Sequence, residues 1–272
     1  MTGPRRRRVY VANLDPAAED PLPYATPPPT SPDDNDYVES NVAFDIRDLI
    51  SVDDVTAELN LGPNGSLIYC MEYLLNHIEW LTNELDVFDD DDVVLLDCPG
   101  QVELYTHSPV MRSIVHLLCN NGGEGGGGGR DSKIAAVFVM DAATFLPDIS
   151  KFISGSLLSL TAMVSLGLPH INVLSKCDIA DKKRVEEILD AEGSNSAMSL
   201  LENENGNSNQ NGGRKIDKLT MALCELIDDY SMVSFVPLDI TDDDSIDLVL
   251  LHVDHCLQYG EDLEIKGADR ED

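Results

Sequence analysis

The run VVLLDCPGQ, residues 93–101, decides the fold. Four consecutive apolar residues, Val93 to Leu96, read as a strand buried on both faces, and Asp97-Cys98-Pro99-Gly100-Gln101 closes it. That is the expected form of a parallel strand with a functional loop at its carboxyl end. In nucleotide hydrolases a carboxylate at this point serves Mg²⁺, a glycine N–H reaches the γ-phosphate, and a glutamine orients the attacking water. The bland alternative is a strand-ending turn, since Asp-x-Pro-Gly is good turn chemistry.

Outward from this run, strand and helix patterns alternate. Val9 to Ala12 reads as a short strand, and Leu67 to Leu85 as an amphipathic helix with apolar residues three and four apart. Val110 to Leu118 is helical, Ile134 to Met140 a buried strand, and Ile149 to Leu166 a helix. Ile171 to Leu174 is a strand, with helices over Asp181 to Leu189 and Lys215 to Tyr230. Val233 to Leu238 is a strand and Ser245 to Tyr259 the last helix. This order predicts an α/β fold, a mostly parallel sheet with helices on both faces. No compositional break divides it, so one domain over 9–264 is expected, between a basic segment 1–8 and a polar tail 265–272. Flexible insertions are expected near 21–40, 120–132 and 192–213, rich in Pro, Gly, Asn and Ser.

Composition narrows the partners. Lys+Arg 18 against Asp+Glu 50 gives a net charge of −32, which repels nucleic acid and anionic membrane and favours basic partners. The six cysteines form no C-x-x-C pair, as suits reduced thiols in cytosol or nucleus. No apolar run reaches the roughly 18 residues that span a bilayer.

A second motif follows Ile171 to Leu174. In Ser175-Lys176-Cys177-Asp178 the aspartate is placed to accept from the guanine N1–H and exocyclic amine, while the lysine lays its stem along the base. Adenine offers no matching donors on that edge. Gly62-Pro63-Asn64 by itself reads only as a loop before the long helix, because each residue favours turns.

Taken in order, Asn13-Leu14-Asp15-Pro16-Ala17, Gly62-Pro63-Asn64-Gly65, Cys70-Met71-Glu72-Tyr73, Asp97 to Gln101 and Lys151-Phe152-Ile153-Ser154-Gly155 resemble the GPN-loop GTPases. Asp45 to Ile50, Asp228 to Val233 and Gln258 to Leu263 are similar to the third paralogue of that family, and Leu168 to Asn172 to the second. The resemblance implies a Rossmann-like P-loop GTPase core that dimerises. It implies that Asn64 of the Gly62-Pro63-Asn64 motif acts across the dimer on the partner's phosphate, and that Asp97 serves Mg²⁺. Gln101 and Asp15 would position water, and Ser175, Lys176, Cys177 and Asp178 would form the guanine-binding motif. It implies GTP and Mg²⁺ as ligands, homo- or heterodimers with other GPN-loop GTPases, and a role in assembly and nuclear import of RNA polymerase II. The expected location is cytoplasmic, with shuttling to the nucleus.

One departure stands out. The family's phosphate loop precedes the strand at Val9, and no G-x-x-x-x-G-K-[ST] occurs in the 272 residues. The glycine-rich run 122–129 is not a substitute, because Arg130-Asp131 follows where G-K-[ST] should be. Without that loop's N–H groups and lysine, weak or absent GTP binding is expected, together with two unpaired sheet edges where its strand would lie. Two readings follow: a truncated or mis-started version of an intact GTPase, or a degenerate, nucleotide-free scaffold that pairs with an intact paralogue.

Overall fold

The computed structural model describes residues 8–25, 42–89, 92–120, 133–191, 222 and 234–259. The expected insertions lie almost wholly outside these ranges, as does the helix expected over 215–230. Two compact units are present, Met1–Ser132 and Lys133–Asp272, each with its own parallel sheet.

In the first unit, β1 (Val9–Asn13) lies between β2 (Val42–Asp45) and β3 (Val93–Asp97), in the order β2-β1-β3. A 3-10 turn, Ile46–Asp48, leaves β2. The chain continues through α1 (Val52–Leu59), α2 (Pro63–Asn76) and α3 (Ile78–Leu85), and after β3 through α4 (Glu103–Thr106) and α5 (Val110–Asn120). Ser51 opens α1 by accepting from Asp54 N, which satisfies one of the orphan donors of a helix start. Ile46, Met71, Leu74, Leu81 and Leu104 are fully buried. Arg8 is bound to Asp89 at 2.5 Å and Asp92 at 2.8 Å, tying the entrance of β1 to that of β3.

In the second unit, β5 (His170–Ser175) lies between β4 (Ala136–Asp141) and β6 (Phe235–Pro237), again all parallel. Its helices are α6 (Ala142–Phe145), α7 (Ile149–Leu166), α8 (Lys182–Ala191) and α9 (Asp243–Cys256). Alternation along β5 sends residues to opposite faces. Leu174 packs with Phe152 and Ile153 of α7, while Ile171 and Val173 pack with Val249 and Val253 of α9. This sheet is thus covered by helices on both sides, as the run of apolar strands requires.

Two expectations need correction, and one strand had none. The helix over Leu67 to Leu85 is two helices, broken at His77 (φ −120°, ψ 38°). The His77 ring stacks on Tyr73 at 4.0 Å and its Nδ1 lies 2.8 Å from the Tyr73 carbonyl oxygen, a local bond that competes with helical continuation. The strands at 93–96 and 134–140 are not fully buried: Leu95 is 51% exposed, Val137 45% and Val139 60%. The reason is topological. Among the described residues, β3 and β4 each pair on one side only, at the edges of their sheets. Finally, β2 had no sequence expectation; four residues that alternate only weakly, VAFD, become a strand because β1 supplies a parallel partner.

Candidate nucleotide site

In the first unit the site residues gather where β1 and β3 end. Asn13 stands opposite Asp97 in the parallel ladder, and Leu14 N donates to Asp97 O at 2.7 Å. Asn13 is completely buried. Its Oδ1 accepts from Asp15 N at 3.0 Å, and its Nδ2 donates to Asp15 O at 3.1 Å and to Asp45 Oδ1 at 2.8 Å. Asp15 in turn accepts from Ala17 N at 2.9 Å, an Asx turn that fixes the carboxylate.

Asp97 is exposed, and it shares a field with Asp15. Both carboxylates, after burial itself, push the Cys98 thiol up to about 12. Burial, then Cys98, Asp15 and Asp97, raise the Tyr105 phenol as well. Burial and next the Asp97 carboxylate raise Tyr24, whose hydroxyl is buried without a hydrogen bond of good geometry. Sequence reasoning missed Tyr24, which sits in a Pro-rich stretch with no motif signal. Tyr105 donates to Pro99 O at 2.7 Å, holding the turn after β3. A Cβ built on Gly100 would meet nothing within 4 Å, so the loop is open on that side. Gln101 is half-buried and starts the turn into α4, its carbonyl accepting from Leu104 N at 3.2 Å.

Among the described residues no group of three or more His, Cys, Asp or Glu could hold a metal. That does not conflict with Mg²⁺, which is commonly bound by one or two carboxylates together with substrate phosphates and water. Asp15 and Asp97 both raise the Cys98 thiol and the Tyr105 phenol, which places the two carboxylates near one another at the ends of β1 and β3.

Gly62-Pro63-Asn64 is not a free loop, which corrects the sequence reading. Gly62 is the N-cap of α2, Pro63 its first residue, and Asn64 lies exposed in the first turn. Proline suits this position because its missing N–H would have had no helical partner. Gly62 has no side chain with which to cap the helix, so the first-turn amides of α2 lack a side-chain cap beside the exposed Asn64. The turn is fixed from behind by buried Ser66, whose hydroxyl lies 2.9 Å from Thr56 Oγ1 of α1. The bonds and charge interactions linking Asp15 to Asp97 do not include Asn64 among the described residues.

In the second unit the guanine motif leaves β5. Ser175 donates to Met140 O at 3.2 Å across the β4–β5 ladder. Lys176 has a φ of 60°, the left-handed region, and its Nζ reaches Asp141 Oδ2 at 2.8 Å. Cys177 turns into the core, with its Sγ 3.1 Å from Leu174 O and its N–H donated to Leu238 O at 3.2 Å. Its part in the motif is to anchor the loop. Asp178 is half-buried, in a turn closed by Ile179 N and Ala180 N on Lys176 O. The loop after β6 stands beside it. There Asp239 accepts from Thr241 N at 2.8 Å and Thr241 Oγ1 at 2.6 Å. This loop and Asp141 carried no recognisable motif; only strand register brings them to Lys176 and Cys177.

The chain matches, over residues 33–259, the family described as conserved hypothetical ATP binding protein. It is 43% identical to GPN-loop GTPase 3 of Danio rerio, with 96% of this chain and 81% of that protein covered. It is 42% identical to GPN-loop GTPase 3 of Dictyostelium discoideum, with 96% and 80% covered. Among solved structures it is similar to a GTPase from Pyrococcus abyssi in apo form, with a TM-score of 0.63 at 19% identity over 91% of this chain and 86% of that one. The last likeness supports the α/β fold; the relatives above 40% identity go further, and on them the chain belongs to the GPN-loop GTPase family.

Proposed function

We propose that this chain carries the base-reading and water-positioning parts of a GTP hydrolase that works as an assembly factor. The observation that carries this is the turn after β5, where backbone and side-chain bonds hold Ser175 to Asp178 in one conformation beside the β6 loop. Asp178 accepts from the guanine edge, and the Lys176 stem lies along the ring. In the first unit, Asp15 and Gln101 orient the attacking water and Asp97 serves the cation. Mg²⁺, when bound with substrate, neutralises charge on the phosphate oxygens. The matched family's description names ATP. The Asp178 carboxylate favours guanine instead, because adenine has no pair of donors for it.

Asn64 acts in a dimer on this reading. Leu59, Leu61 and Tyr69 are large exposed apolar residues flanking Gly62-Pro63-Asn64, and such a cluster beside that helix start suits a second copy or a paralogue. The partner's phosphate would then meet Asn64 and the first-turn amides of α2. The −32 net charge suits a carrier of basic surfaces, in keeping with RNA polymerase II subunits as cargo and with a cytoplasmic chain that shuttles to the nucleus.

With no G-x-x-x-x-G-K-[ST] among its 272 residues, the chain as it stands should bind GTP weakly. The second reading is a nucleotide-free scaffold paired with an intact paralogue. One titration series separates them. The chain, supplied with a phosphate loop and its strand ahead of Val9, should bind a fluorescent GTP analogue, and Asp178→Asn should shift its preference to the xanthine nucleotide. The lost bonds are worth on the order of 1.5–3 kcal/mol, the range for hydrogen bonds to a charged group. If the supplemented chain folds and still takes no nucleotide, the scaffold reading stands. Micromolar binding by the unsupplemented chain would overturn the weak-binding expectation.

A further inference from the structure

Among the described residues of the second unit, Lys176 and Gln258 are the two non-glycine residues in the left-handed region, and Lys176 lies in the guanine motif. A non-glycine residue at φ 60° is uncommon, and such conformations persist where surrounding structure imposes them. Here the surroundings are explicit. Asp141 ends β4 opposite Ser175, one residue before Lys176. Its Oδ2 accepts from Lys176 Nζ at 2.8 Å and from Thr144 Oγ1 at 3.1 Å, and its Oδ1 accepts from Thr144 N at 3.2 Å. The carboxylate is therefore fixed by its own helix cap before it meets the lysine. Its acidity agrees: the Lys176 bond above all, then those from Thr144, hold it below the ordinary carboxylate range.

A pair this exposed, with the Lys176 side chain 57% accessible, contributes little to stability. It does determine where a long, flexible side chain goes. With its ammonium bound to Asp141, the four-carbon stem is drawn along the carboxyl end of the β4–β5 pair and leaves a face open to solvent. The same bond keeps the ammonium away from Asp178, two residues on, whose oxygens must stay free to accept from a base.

We propose that Asp141 is a positioning residue for nucleotide recognition, holding the Lys176 stem as a preformed shelf for the purine ring and keeping its ammonium off Asp178. This rests on the reading of Ser175 to Asp178 as a guanine site. Without Asp141, the lysine must be ordered when nucleotide binds, so affinity falls for purines in general rather than for one base.

The test is titration of the chain with GDP and with inosine diphosphate, into the millimolar range and followed by NMR. Asp141→Asn keeps the cap of α6, because asparagine caps helices as well as aspartate does. This variant should melt with the wild type yet weaken both nucleotides by the same factor, about three- to tenfold, the size expected for ordering one long side chain. In a Lys176→Met background, which keeps the stem and loses the charge, Asp141→Asn should have no further effect. A merely structural aspartate would instead lower the melting temperature and act equally in both backgrounds. Wild-type affinity in Asp141→Asn, or an undiminished loss in the Lys176→Met background, overturns the proposal. If Asp178→Asn weakens GDP and Asp141→Asn does not, the guanine reading survives and this inference alone fails. If Asp178→Asn leaves GDP binding unchanged, both fail.

Discussion

Asn13 holds Asp15 by both of its backbone polar groups, accepting from the Asp15 N–H at 3.0 Å and donating to the Asp15 carbonyl at 3.1 Å. A buried amide thus shapes the chain where β1 becomes the loop carrying a candidate catalytic carboxylate. The same amide donates to Asp45 at 2.8 Å, so β2 is tied into this turn as well.

Replacing Asn13 by alanine should therefore leave Asp15 N, Asp15 O and Asp45 Oδ1 short of a partner at once. The expected loss is about 1–3 kcal/mol, the cost of stranding buried polar groups. Urea unfolding of Asn13→Ala against wild type measures it. A loss well below that range would mean that water replaces the amide and the site is wetter than its burial indicates.

Gly155, within the motif on α7, has no room for a side chain. An added methyl would overlap Met140 Sδ and come within 3.0 Å of the Phe145 ring. Gly155→Ala should destabilise by about 1–3 kcal/mol, as overpacking does. Gly65→Ala is the control, since its methyl would meet only Leu61 Cβ at an ordinary 3.7 Å. In a helical position that change should be neutral or stabilising by up to about 1 kcal/mol. Thermal melts of the two variants should move in opposite directions or, at the least, far apart.

Acid should weaken the fold in two windows, the first of them set within the second unit. His170 Nε2 lies 3.1 Å from Asn172 Oδ1, an arrangement that places the proton on Nε2, and its Nδ1 is buried with no partner among the described residues. Protonation would create a buried donor with nothing to receive it. Burial accordingly holds the His170 pKa below its ordinary value, with the Asn172 bond opposing in part. The unfolded chain then takes up the proton first. Stability from this group is complete above about pH 6.5 and is lost as pH falls through the lower folded value. A further loss should follow below about pH 3.9. There, burial raises the Asp45 pKa but the Arg47 and Asn13 bonds more than offset it, and the Lys176 bond lowers Asp141. Urea midpoints across pH for wild type and His170→Gln should differ in the first window only.

Asn64 faces a stricter demand. In a chain supplied with a phosphate loop ahead of Val9, Asn64→Ala should lower kcat by about 10²–10³ while GTP binding stays nearly intact, as for a donor engaged only in the transition state. Mixing that variant with a supplemented Asp97→Ala chain should restore turnover, because the mixed dimer holds one complete site. A mixture that exchanges subunits and stays inactive would return Asn64 to a simple helix-start role.

Much of this was legible in sequence because it depends on local pattern. Apolar runs ending in Asp97-Cys98-Pro99-Gly100 and Ser175-Lys176-Cys177-Asp178 announced parallel strands, and β3 and β5 are those strands. The 3.6-residue pattern marked the helices, though not the break at His77, which depends on a ring stacking back on Tyr73. What remained hidden is what arises between residues distant in the chain. Asn13 meets Asp45 across 32 positions and Lys176 meets Asp141 across 35, and neither aspartate differs in local context from many others in so acidic a chain. The exposure of Leu95, Val137 and Val139 was equally unreadable, since an apolar strand has the same sequence at a sheet edge as at its centre. Sequence by itself determined the element types, the motif order and the family. Tertiary structure alone decided which carboxylates share a field, which cation has a partner and which strands stand at the edges, because those properties belong to the neighbours that parallel pairing brings together.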